Sequence, residues 1–116
     1  MKSDLVYLVH MRECLDRLIE YTGAGRAEFM GSTLIQDAVA RNLHLVAESS
    51  QRVSQAFKLQ HPLVDWRGLS AFRNVMVHDY LSIDLEEVWD IVVRDVPFLR
   101  RQLEEIVPAD RRDEPE

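Results

Sequence analysis

Between Arg73 and Tyr80 the chain gathers a permanent cation, an amide, a titratable imidazole and a phenol: Arg73, Asn74, His78 and Tyr80. On a continuous helix Arg73 and Tyr80, seven apart, share a face, whereas His78, five from Arg73, points well away. Convergence of the three therefore requires the helix to loosen or end near Val77. Two readings of the run stand on chemistry alone. It is a functional site, or it is a satisfied helix-end network of the ordinary buried hydrogen bonds that His, Arg and Tyr also make.

A second polar group is spread along one helix face, where Asp37, Arg41, His44, Glu48 and Arg52 follow at steps of four, three, four and four. As a solvated ladder of intrahelical acid and base pairs it would contribute only about 0.3 to 0.5 kcal/mol per pair. Turned toward the motif or a partner subunit, Glu48 and Arg41 would instead position groups there. Asn42 and Ser49 interrupt a stripe that is otherwise apolar, and buried polar side chains demand partners, so they are expected to tie helices together.

Other constellations are weaker. His10 and Cys14 lie one helical turn apart, but zinc needs three or four ligands and nothing nearby completes the set, so the pair reads as a packed Cys and a partly exposed His. Gly23 and Gly25 supply two of the three glycines of a dinucleotide fingerprint, after a helix rather than a strand. No serine sits in a strand-to-helix elbow. Neither a metal site nor a bound cofactor is expected.

These residues need a frame. At 116 residues the chain is sized for one domain, 1–107, with a tail, 108–116, that has little to anchor it and is expected to fray. No apolar run approaches a membrane span and the start is not a signal peptide, so a soluble cytoplasmic protein is expected. The single cysteine excludes an intrachain disulfide and a cysteine-rich zinc site. A net charge of −6 argues against a general nucleic-acid coat protein, so any RNA must meet a local basic patch.

The apolar spacing is helical throughout. Leu5, Leu8, Met11, Leu15, Leu18 and Ile19 predict a helix from Ser3, its N-cap, to about Tyr21; 22–33, rich in glycine, predicts a loop. Ser32 or Thr33 caps a long second helix to about Gln60, with a stripe of Ile35, Ala38, Asn42, Leu45, Ser49, Val53 and Ala56, ended by His61-Pro62. Asp65 caps a third through Trp66, Leu69, Phe72 and Val75 or Met76, leading into the motif. Asp84 caps a fourth, with Glu87 completing a capping box and Val88, Ile91, Val92, Leu99, Leu103 and Ile106 buried; Pro97 should bend it. The fold class is all-α, an antiparallel bundle of four to five helices.

The run 73–80 resembles the Arg-x4-His-x-Tyr signature of HEPN-domain proteins of the HepT group, toxins paired with a minimal nucleotidyltransferase antitoxin. The likeness extends in order through Gln36-Asp37-Ala38-Val39, Arg41-Asn42-Leu43, Glu48, His61-Pro62, Trp66, Asp84-Leu85, Val88-Trp89 and Asp95-Val96-Pro97, covering roughly 34–103. Ala47 stands where the pattern has glycine, and 22–33 matches only loosely.

The resemblance implies a metal-independent endoribonuclease in which Arg73 and His78 carry catalysis, with Asn74, Glu48, Arg41 and Asp37 in support. The chemistry is consistent. Cleavage through RNA's own 2′-hydroxyl needs a base, an acid for the leaving 5′ oxygen, and a cation facing the developing phosphorane charge. One chain offers one motif histidine, so a two-fold homodimer, or an assembly of such dimers, would bring two into one cleft. Tyr80 is implied as the acceptor of AMP transferred from ATP by the antitoxin, which silences the toxin of this type VII system. The rival reading is a non-catalytic helical module that docks on a nucleotidyltransferase or binds nucleotide.

Overall fold

The computed structural model describes residues 3–77 and 84–107, with the side chains of 74–77 excepted, and every regular element among them is helical. The order is α1 (Asp4–Tyr21), α2 (Arg26–Gly31), α3 (Thr33–Arg52), α4 (Gln55–Gln60), α5 (Ser70–Val77), α6 (Leu85–Asp90), a π-helical turn (Ile91–Asp95) and α7 (Val96–Ile106). No described helix is long and apolar enough to cross a membrane.

Helix α3 is the spine, packing against α1 and α5, while α1 also carries α7. The all-helical expectation holds, and the core forms where these four meet, from Leu8, Met11, Leu15 and Leu18 of α1 with Val39, Leu43 and Val46 of α3 and Leu103 of α7. Two stripes differ from expectation. Ile19 is 43% exposed, on a face of α1 turned away from the core of the described residues. On α3 the buried face is Val39, Leu43, Val46, Ala47 and Ser50 together with Asn42, Ser49 and Val53 of the predicted stripe, whose Ile35, Ala38 and Leu45 are only half-buried and whose Ala56 lies exposed on α4. The Ala47 methyl is fully buried, so the core accommodates it where the family pattern has glycine.

Helix boundaries follow from capping. Ser3 stands at the N-cap of α1 without a side-chain bond, whereas Ser32 caps α3 by accepting from the Ile35 N–H at 3.1 Å. The expected 22–33 loop contains α2, entered through Gly25 at φ 102°, where a side chain would be strained. Gln36 reaches back to donate to the Phe29 and Met30 carbonyls at α2's end. The predicted 33–60 helix is instead two, because Val53 is extended and Ser54 caps α4 by accepting from Phe57 N–H. Asp4 of α1 holds that break, accepting from Ser54 N–H at 2.8 Å and Ser54 Oγ at 2.7 Å.

Asp65 does not start α5. Its carboxylate accepts from Gly68 N–H at 2.9 Å, closing a turn, and α5 begins at Ser70. A Cβ on Gly68 would meet that carboxylate, so a side chain there would have to displace Asp65 from its bond. Asp84 caps α6 as expected, accepting from Glu87 N–H. The disturbance assigned to Pro97 is a π turn directly before it: proline offers no N–H to the Val93 carbonyl, and the wider turn absorbs the gap.

Charge pins α1 to α7. Arg100 donates to Asp16 at 2.5 Å and to Glu104 at 2.8 Å. Burial alone would lower the Arg100 pKa, but the bonds to Asp16 and Glu104 outweigh it and the net shift is upward. Arg12, fully buried, donates to the Val107 carbonyl that ends α7.

Candidate nucleic-acid site

Helix α5 presents Arg73. Leu69 and Phe72 just before it are buried, anchoring this stretch of chain on the core, and one residue further round the helix Arg73 is exposed. The chain thus fixes the backbone of the guanidinium from behind and leaves its head in solvent. Asn74 follows on the same helix. Its side chain, and His78, Asp79 and Tyr80 entirely, lie outside the described residues, and so does the convergence of His78 on Arg73.

The neighbouring spine carries the second polar group. Asp37, Arg41 and Arg52 are exposed along α3, with His44 and Glu48 half-buried between them. Of the ladder that the spacing allows, one rung is formed: His44 Nε2 lies 3.3 Å from Glu48 Oε2. Asp37 and Arg41 are not paired with each other, nor Glu48 with Arg52. Arg41 and Arg52 stand as solvent-facing cations on α3, with Arg52 at the groove against α1. Along α3 the two guanidinium groups alternate with the carboxylates of Asp37 and Glu48, so the face is of mixed charge in a chain of net charge −6.

Two polar interruptions of the apolar stripe are buried, as expected, and one of them ties helices together. Ser49, 5% exposed, meets His10 of α1, with Oγ 3.0 Å from Nδ1. Asn42 instead turns back along its own helix, donating to the Ala38 carbonyl at 2.9 Å. His10 also approaches Cys14 Sγ at 3.7 Å through its other ring nitrogen, and Arg17 donates to the same sulfur at 3.6 Å. Cys14 is fully buried, and burial pushes its thiol pKa up despite the lowering by Arg17. The pair is thus a packed thiol and a half-buried imidazole.

The His10 to Ser49 link was not identified from sequence, although a serine in an apolar stripe signalled that some partner existed. It borders an open groove of about 240 Å³ between α1 and α3, where Tyr7, His10, Glu48, Ser49 and Arg52 meet. No group of three or more His, Cys, Asp or Glu side chains among the described residues could hold a metal ion.

The "Ribonuclease HepT-like" family model matches residues 11–106, which takes in α3, α5 and the motif. A Thermococcus cleftensis protein named "Probable ribonuclease HepT" is 30% identical over 106 residues, 90% of this chain and 96% of that one. A Methanocaldococcus jannaschii protein named "Putative RNase" is 31% identical over 99 residues, 84% of this chain and 91% of that one. Another protein of that organism, named "Gamma-glutamylcyclotransferase and putative RNase", is 27% identical over 109 residues, 92% of this chain. The chain spans only 49% of that relative's length. No solved structure matches. The chain belongs to the HepT-like ribonuclease family.

Proposed function

We propose that the chain is the toxin of a HEPN and minimal-nucleotidyltransferase pair, a metal-independent endoribonuclease that acts as a homodimer. The observation that carries this reading is an Arg-x4-His-x-Tyr run inside the family match, with its arginine exposed on a helix anchored to the core.

In the reaction, one His78 imidazole takes the proton of an RNA 2′-hydroxyl, whose oxygen attacks the adjacent phosphorus. The bond to the 5′ oxygen breaks, a 2′,3′-cyclic phosphate forms, and the imidazolium of the partner subunit's His78 returns a proton to the leaving oxygen. Arg73 forks two hydrogen bonds to the phosphate oxygens, where charge builds up. Asn74 orients Arg73 or a substrate phosphate. On α3, Arg41 adds positive charge for the RNA backbone, with Asp37 and Glu48 in support beside it.

Tyr80 is the control point. Its phenolic oxygen displaces pyrophosphate from the α-phosphorus of ATP on the antitoxin, forming an O–P bond and releasing its proton. The AMP phosphate beside Arg73 then occupies the place of the RNA phosphate, and inhibition needs no conformational change.

The mixed charge of the α3 face and the net charge of −6 favour the rival, a non-catalytic module that docks on a nucleotidyltransferase. Expression in cells separates the two. The toxin reading expects growth inhibition that His78→Ala abolishes, and Tyr80 that gains AMP when the nucleotidyltransferase is co-expressed. Unchanged inhibition by His78→Ala sinks the catalytic reading, and an intact-mass spectrum without added AMP sinks the control step.

A further inference from the structure

From the groove between α1 and α3, we infer a subsite for one nucleotide of single-stranded RNA, with a guanine base. This rests on the ribonuclease reading and names the substrate feature that the site selects.

The groove combines three things that a nucleotide needs. Val6, half exposed, and Leu45 give it apolar walls, and Tyr7 supplies a half-buried aromatic ring on which a base can stack. Glu48 supplies a carboxylate at the edge, and Arg52, one turn further along α3, supplies an exposed guanidinium for a phosphate. About 240 Å³ is room for one base.

One polar group is held firmly, since His10 lies 3.0 Å from the hydroxyl of the nearly buried Ser49, and His44 Nε2 lies 3.3 Å from one oxygen of the half-exposed Glu48 carboxylate. Arg52 is one helical turn from Glu48, the spacing that favours an ion pair, yet the two do not pair. A carboxylate and a guanidinium left unpaired one turn apart on the α3 wall of a groove whose α1 wall carries the Tyr7 ring match a ligand with donors at one end and an anion at the other. Guanine is the base whose Watson–Crick edge offers adjacent N1–H and N2–H donors, the pair that a carboxylate accepts together. Adenine presents an acceptor at N1 and cannot make that pair.

The test uses full-length His78→Ala protein, which does not consume RNA, titrated with 5′-GMP, 5′-AMP and 5′-CMP under amide NMR. The expected result is saturable shifts at Tyr7, His10, Glu48, Ser49 and Arg52 with GMP, at least tenfold weaker with AMP and CMP. Tyr7→Ala weakens GMP binding about tenfold, the loss of one stacked base, and Tyr7→Phe restores it. Glu48→Gln levels the preference among the three nucleotides. Equal shifts with all three, or none in the groove, overturn the inference. Dimers that become monomers in Tyr7→Ala, with no GMP signal in the parent, would make the groove a subunit contact and also overturn it. RNA cleavage by the wild type in the same preparation keeps the ribonuclease reading standing in either case.

Discussion

At the scale of single residues, the chemistry divides between side chains that face solvent and side chains that do not. Arg73, Arg41 and Arg52 are exposed, whereas the cysteine and the first arginine of α1 are sealed in the core. That difference has a direct consequence for Cys14. Burial raises its pKa, so the reactive thiolate is scarce and inaccessible. Native protein should therefore resist alkylation at neutral pH and react fully once unfolded. Rapid labelling of the native state would contradict the packing of α1 on α3. For Arg73 the expectation concerns geometry rather than charge alone. Arg73→Lys keeps the cation but loses the planar fork, and should lower cleavage by about 10²-fold or more, the scale of losing one transition-state donor.

At the scale of elements, the caps decide where helices begin, and they respond to substitution independently of catalysis. Ser32→Ala removes the acceptor for the Ile35 N–H and should cost about 1 kcal/mol in a denaturant titration, with cleavage unchanged. The sequence made some of these boundaries legible and concealed others, for a physical reason. Ser32 and Asp84 cap their own helices through contacts three residues away, and both could be read from local spacing. The break at Val53 could not, because its partner is Asp4, fifty positions earlier in the chain. Asp65 is a similar case: a capping residue by type, it closes a turn on Gly68 instead, and α5 starts five residues after it. At the candidate site, the run 73–80 and the polar face of α3 were visible as patterns. The groove was not, since it needs Tyr7 and His10 from α1 beside residues of α3 that only antiparallel packing brings together.

At the scale of the whole molecule, an acidic chain must bind a polyanion through a few placed cations. Arg41, Arg52 and Arg73 are the exposed guanidiniums of α3 and α5, and neutralising about three phosphates gives a slope of log binding against log salt near −2 per chain. A much steeper slope would show that RNA tracks over cations beyond α3 and α5. If two chains share one crevice, as proposed, activity depends on assembly. The specific rate should fall on dilution through the dimer's dissociation range, whereas a rate independent of protein concentration would assign both acid and base to one chain.

The central claim is that Arg73 and His78 cut RNA without a metal. Purified, unmodified protein incubated with single-stranded RNA in a chelator tests it most directly, with Arg73→Ala and His78→Ala beside the wild type and folding checked by circular dichroism. The expected result is wild-type cleavage leaving 2′,3′-cyclic phosphate ends, and a loss of roughly 10²-fold or more in each folded variant. Wild-type rates from either variant, or intact RNA with the wild type, would contradict it.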